Sequence, residues 1–207
     1  KPELVAPGVK IETTKDTWPW ITDPPGVDGT SFAAPHVSGA TNLLMQRKPT
    51  LQTWPEAVKA ILMASAIHNI EGSSRLSEYD GVGAISLDKA DYVARENSAN
   101  QWDVYTLTPS SFDSNGNFYV YFAAQQGQRI RAVISWAVDP NYSGYPNRPG
   151  VDLDLYVFRP NYPYSPHVYS TSYDNNYEIV DFIAPAWGSY KLVIKKRMFN
   201  DASIATH

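Results

Sequence analysis

Gly29-Thr30-Ser31-Phe32-Ala33-Ala34-Pro35-His36-Val37-Ser38-Gly39 is the stretch whose reading decides this chain. It places a serine after Gly-Thr, where a loop can turn into a helix. The first N–H groups of a helix have no intrahelical acceptor, and the helix dipole favours negative charge there. Ser31 at such a terminus can offer its own N–H to an oxyanion, and Gly29 lets another backbone approach closely. A nucleophilic serine needs those donors, an exposed and fixed Oγ, and a base to take its proton. A bare Gly-Thr-Ser would read more readily as an ordinary N-cap. His36 follows five residues after Ser31. At about 100° per residue it points roughly 140° away around a helix, so it is expected to pack on neighbouring backbone rather than reach Oγ.

Outward from this stretch the first part of the chain reads as α/β. Residues 3 to 9 predict a short strand running into a turn, and positions 14 to 30 an exposed loop rich in Pro, Gly, Asp and Thr. From Ser31 to about Arg47, Val37, Ala40, Leu43 and Leu44 fall at helical spacing. Pro35 is expected in the first turn, where a missing N–H costs little. Thr53 and Pro55 mark a second helix start, with Val58, Ile61, Leu62 and Ser65 on one face. A turn follows at Tyr79 to Gly83, and Ser86 can cap a third helix through about Ala94.

The string from Gly29 to Gly39 resembles the nucleophile segment of the subtilisin-like serine peptidases, the subtilase family. Lys1-Pro2-Glu3-Leu4-Val5-Ala6-Pro7-Gly8-Val9 resembles the strand and turn before the serine loop of that family. Tyr79-Asp80-Gly81-Val82-Gly83-Ala84-Ile85 is similar to the segment that closes its catalytic domain. The resemblance covers residues 1 to about 95, the last third of such a domain. It implies that Ser31 is the nucleophile, acylated by the carbonyl of a protein or peptide substrate, and that the protein is secreted.

In that family the triad runs Asp, His, Ser along the chain. The resemblance implies that the Asp, the His and the Asn completing the oxyanion hole belong to a segment before Lys1. No His precedes Ser31, and Asp16, Asp23 and Asp28 sit in a loop. His68, His167 and His207 carry no motif that makes them a base. The chain alone is therefore expected to be inactive. The N-terminal fragment of the same peptidase, or a second copy of the chain, is the expected partner. It would cover apolar helix faces that a soluble monomer rarely exposes.

After about Glu96 helical periodicity gives way to alternation, which divides the chain into a 1–96 α/β portion and a 97–207 all-β domain. Ile130, Ala132, Ile134 and Trp136 fall on one side of a strand, as do Leu153, Leu155 and Val157, then Tyr190, Leu192 and Ile194. Seven or so short strands with Gly, Pro and Asn turns predict a β-sandwich of jelly-roll type. Val151 to Val157, Tyr173 to Glu178 and Ala184 to Tyr190 resemble the jelly-roll domain that follows some bacterial subtilases. Asp152 and Asp154 share one face, and Asp174, Asn175, Asn176 and Glu178 add hard oxygens. Asp152, Asp154, Asp174, Asn176 and Glu178 are thus candidate ligands for a structural Ca²⁺. The other reading is an Asn-rich turn bonded to its own backbone. The many tyrosines of this half, Tyr142, Tyr145, Tyr162, Tyr164, Tyr169, Tyr173 and Tyr177, either grip a ligand or pack under loops.

Composition bounds the rest. The chain has 207 residues, 43% of them hydrophobic and 18% charged, with net charge −4, which is globular rather than disordered. No basic stripe points to nucleic acid. No apolar run approaches the roughly 20 residues of a membrane helix, and cysteine is absent. Beginning at Lys, the chain reads as a mature or cleaved product. Two other readings stand beside the peptidase. One is a non-catalytic β-sandwich binding or stabilising module carrying a remnant of the peptidase domain. The other is a serine hydrolase using Lys10 or Lys15 as base.

Overall fold

A computed structural model describes residues 2–12, 26–67, 80–95, 102–138 and 149–200. The chain divides into two compact units, Lys1–Trp102 and Asp103–His207. The stretch 96–101, where the sequence changes texture, lies outside the described residues, as do Asp16, Asp23, Lys15, His68, Tyr79, Tyr142, Tyr145 and His207.

The first unit is built on three helices, α1 (Thr30–Arg47), α2 (Pro55–Ser65) and α3 (Leu87–Ala94), with a 3₁₀ turn at Pro49–Thr53. In α2, Pro55 opens the helix and Val58, Ile61, Leu62 and Ser65 are buried on the predicted face. In α1 only Ala40 and Leu44 are buried, and Leu43 is half exposed. Pro35 stands at the sixth position of α1, not in its first turn. The helix starts at Thr30, so Pro35 lacks the N–H that would bond the Ser31 carbonyl and loosens the turn where Ser31 stands. Ser86 occupies the cap position of α3, but its hydroxyl donates to Asp88 Oδ1 at 2.6 Å instead of capping backbone.

The predicted strand at 3–9 is reduced to a bridge. Val5 pairs in parallel with Ala84, and Ile67 pairs with Ala84 from the other side. A strand is sustained by a neighbouring ladder, and the described residues give Val5 a single bridged partner. The turn at 80–83 closes through Gly83 N–H to Asp80 O at 2.8 Å. Gly81 has φ +59°, and a Cβ there would lie 2.3 Å from Pro2 O. Only glycine fits that close approach of turn and N-terminal segment.

The second unit is antiparallel. Strands β1 (Asn117–Ala124), β6 (Gly188–Phe199), β3 (Val151–Phe158) and β4 (Val168–Ser170) form one sheet in that order. β2 (Arg129–Ser135) and β5 (Tyr177–Ile183) form a second. Six strands are present among the described residues, against seven or so expected. The predicted alternation is the observed core. Leu153, Leu155, Val157, Tyr190, Leu192, Ile194 and Trp136 enter one cluster with Val180 and Phe182 of β5, and Ile130, Ala132 and Ile134 of β2 pack against it. The buried Trp136 indole donates to Val151 O at 3.1 Å, so its polar edge is satisfied.

Candidate active site

Ser31 is the second residue of α1 and is exposed. No side chain caps this terminus, so the N–H groups of Thr30 and Ser31 are oriented outward with no helical acceptor. Two backbone contacts fix the helix start. Gly29 N–H bonds Gly8 O at 2.8 Å, and Phe32 N–H bonds Gly29 O at 3.0 Å. A Cβ on Gly8 would lie 2.9 Å from Gly29 O and 3.2 Å from Ala33 Cβ, so the turn of residues 5–9 packs directly on the start of α1. A Cβ on Gly29 would stand 3.3 Å from Ser31 Oγ. The glycine therefore keeps the space beside the hydroxyl open. The loop entering the helix is closed by the Ile11–Val27 bridge and by Lys10 N–H to Asp28 Oδ1 at 2.7 Å.

His36 Nδ1 lies 2.8 Å from Phe32 O, one helical turn back. It packs on backbone, as its angular offset from Ser31 predicts. Asp28 is committed to the Lys10 backbone. No hydrogen bond or ion pair joins Ser31 Oγ to a His, Asp or Lys among the described residues. The arrangement supplies a presented hydroxyl beside uncapped N–H groups and, among the described residues, no side chain bonded to Oγ. His167, in the second unit, sets its ring edge-on to Phe182 at 5.2 Å. Burial and the nearby Arg159 hold its pKa below the ordinary imidazole value.

The five candidate metal ligands do not converge on one site among the described residues. Asp152 and Asp154 face outward from β3, opposite Met198 and Lys195 of β6. Asp154 is buried, and its Oδ2 accepts from Arg197 Nε and from the Tyr156 hydroxyl at 2.8 Å. Glu178 shares the face of β5 that carries Val180 and Phe182 into the core and is 1% exposed. Its carboxyl accepts from Ser170 Oγ and from Ser172 N–H at 2.6 Å. Asp174 accepts from Ser172 Oγ at 2.7 Å, and Asn176 donates to Trp136 O at 2.9 Å. Among the described residues no group of three or more His, Asp or Glu converges to hold a metal ion. Alternation along β3 gave the shared face of Asp152 and Asp154. It could not show that β6 would lay Arg197 on Asp154, because pairing across strands is not written in either strand alone.

Sequence reasoning passed over Glu178 as a titrating group. Burial pushes its carboxyl up to about 7, against the bonds from Ser170 and Ser172, and the charges of Asp154 and Asp152 push it further. The available signal was the parity of Glu178 with Val180 and Phe182.

The family described as the Subtilase family matches residues 1–103. Subtilisin-like protease SBT1.2 of Arabidopsis thaliana is 29% identical over 125 residues, covering 54% of this chain and 15% of that protein. SBT2.5 of the same plant is 35% identical over 102 residues, 44% of this chain and 12% of its own. SBT1.9 is 27% identical over 166 residues, 74% and 19% respectively. The chain thus spans less than a fifth of the length of these relatives. A solved structure, the pre-peptidase C-terminal domain of a Bacillus anthracis collagenase, is 14% identical with a TM-score of 0.31. That match covers 46% of this chain and 75% of that domain.

Proposed function

Because residues 1–103 belong to the subtilase family, we propose that the chain is part of a secreted serine endopeptidase in which Ser31 is the nucleophile. The observation that carries this is the presentation of Ser31, an exposed hydroxyl at a helix start with free N–H groups and glycine space beside it. In the proposed reaction Ser31 Oγ attacks a peptide carbonyl while a histidine removes its proton. The Ser31 N–H receives the developing oxyanion, and the leaving amine takes the proton back from the histidine. Water then hydrolyses the acyl-enzyme by the same steps in reverse. The histidine and its orienting carboxylate come, in this proposal, from a polypeptide segment outside these 207 residues. That segment would be held against α1, whose exposed apolar positions include Leu43. The N-terminal part of the same peptidase is the proposed occupant, and a second copy of this chain is the competing one.

The 207-residue chain alone is expected to show no hydrolysis of a fluorogenic peptide. Without a base Ser31 keeps its proton, and losing triad members costs several orders of magnitude. Hydrolysis by a chain of verified mass, abolished by Ser31→Ala, would replace this reading with one using an unusual base such as Lys10.

The second unit is proposed as a jelly roll. Its successive strands β1, β2 and β3 alternate between the two sheets, as do β4, β5 and β6, which supports that reading. Calcium belongs to the proposal only as a structural ligand of this unit, and it would have to displace the Arg197 and serine bonds described above. A melting temperature raised by millimolar Ca²⁺ over excess chelator supports it through mass action. An unchanged value removes it.

A further inference from the structure

The outer face of the four-stranded sheet departs from what an antiparallel sheet requires. Such a sheet ordinarily turns apolar residues to the core and polar ones to water. Here β1, β3 and β4 turn Tyr119, Tyr121, Tyr156, Phe158 and Tyr169 outward, on the side opposite the core residues of the same strands. Register aligns them in two rows. Tyr119 is opposite Val193, Val193 opposite Tyr156, and Tyr156 opposite Tyr169. In the adjacent row Tyr121 is opposite Lys191, which is opposite Phe158.

Three of the rings stay in solvent, Tyr119 40%, Tyr121 62% and Tyr169 61% exposed, and Tyr156 and Phe158 are half-buried between them. Tyr156 and Tyr169 stack at 5.9 Å, and Lys191 Nζ lies 4.7 Å from the centre of the Phe158 ring. Two carboxylates on this face are already engaged, Asp154 by Arg197 and Asp113 by the Tyr119 hydroxyl at 2.6 Å, and Asp152 shares the face with one carboxylate oxygen buried. Lys191 and Lys195, also outward, form no ion pair with a described carboxylate. Strand propensity explains a tyrosine on a strand. It does not explain five rings on the solvent side with unneutralised lysines among them.

We propose that this face binds an anionic polysaccharide of the uronic-acid class. Tyrosine rings stack on the C–H faces of successive pyranose rings, and Lys191 and Lys195 take their carboxylates. Neighbouring strands about 4.8 Å apart set Tyr156 and Tyr169 one sugar unit apart, and β6, which carries no ring on this face, sets the β1 rings about two units from those of β3. A flat row suits a ribbon-like polymer, whereas peptide recognition relies on pockets or a free strand edge. The proposal is independent of the peptidase reading and survives or fails without it.

The test is affinity electrophoresis of the 207-residue chain in gels containing polygalacturonate, poly-L-glutamate or no polymer. The expected result is retardation by polygalacturonate well beyond that by poly-L-glutamate, relieved by added salt. Tyr121→Ala, Tyr169→Ala and Lys191→Gln, each with an unchanged melting temperature, should weaken apparent affinity roughly tenfold. No retardation by polygalacturonate, equal retardation by poly-L-glutamate, or folded variants that bind like the parent would each overturn it.

Discussion

Ser31→Ala in the full-length protein is expected to lower kcat/KM for a peptide substrate by roughly 10³-fold or more, with the melting temperature unchanged. The two halves of that expectation have separate causes. Oγ makes no hydrogen bond to a described residue, and the side chain is exposed. Removing it leaves no cavity and no orphaned partner, so stability has no reason to change. Activity does under the proposed mechanism, because its acyl-enzyme has no other atom to form on. A steady-state assay beside a thermal melt separates the two. A comparable fall in melting temperature would mean that Ser31 serves the fold as a cap, the plainer reading that a bare Gly-Thr-Ser invites.

The second large effect concerns Glu178 and pH. Its folded carboxyl is raised to about 7 from 4.5. A raised pKa means the folded state holds its proton longer than the unfolded chain does. The stability this group contributes is full below about pH 4.5 and is lost as pH rises through 7. By pH 8 the buried charge costs on the order of 3 kcal/mol. Glu178→Gln keeps an acceptor for Ser172 N–H, and its amide N–H can donate to Ser170 Oγ in place of the bond that this hydroxyl donates to the carboxyl. It is therefore expected to raise the melting temperature of the second unit by several degrees at pH 8 and to leave it nearly unchanged at pH 4.5. Comparing variant with parent at each pH cancels other groups, such as Asp181. Burial would raise that carboxyl, but hydrogen bonds from Arg129 and Arg131 hold it below the usual range. A stabilisation equal at both pH values would assign the effect to packing instead.

What the sequence made legible follows from periodicity. The buried face of α2 and the core sets of β2, β3 and β6 are each written within one element, as positions three or four apart or two apart. The details that misled depend on where an element begins or on what lies across from it. Pro35 reads as harmless only if counted into the first turn, yet its missing N–H falls on the Ser31 carbonyl whether the helix starts at Thr30 or at Ser31. In the structure it removes the bond to the Ser31 carbonyl. The strand at 3–9 shrank to a bridge at Val5 because a strand is defined by its neighbours. Asp154 read as a hard ligand, and Arg197, 43 residues later, takes its oxygen. Glu178 read as a turn-side ligand and faces the core. The placing of Ser31 as an exposed residue at a helix start was legible because it is local. Glycine, serine and the helix start lie within three residues, and the contact of Gly29 with Gly8 needs only backbone.

The most direct measurement is covalent. The full-length protein is treated with a biotinylated fluorophosphonate, which phosphonylates a serine activated by a base with loss of fluoride, and the adduct is mapped by peptide mass spectrometry. The account predicts stoichiometric labelling on Ser31, blocked by a peptide substrate, lost in Ser31→Ala and absent from the 207-residue chain alone. An adduct on another residue, or labelling that persists in Ser31→Ala, would contradict it.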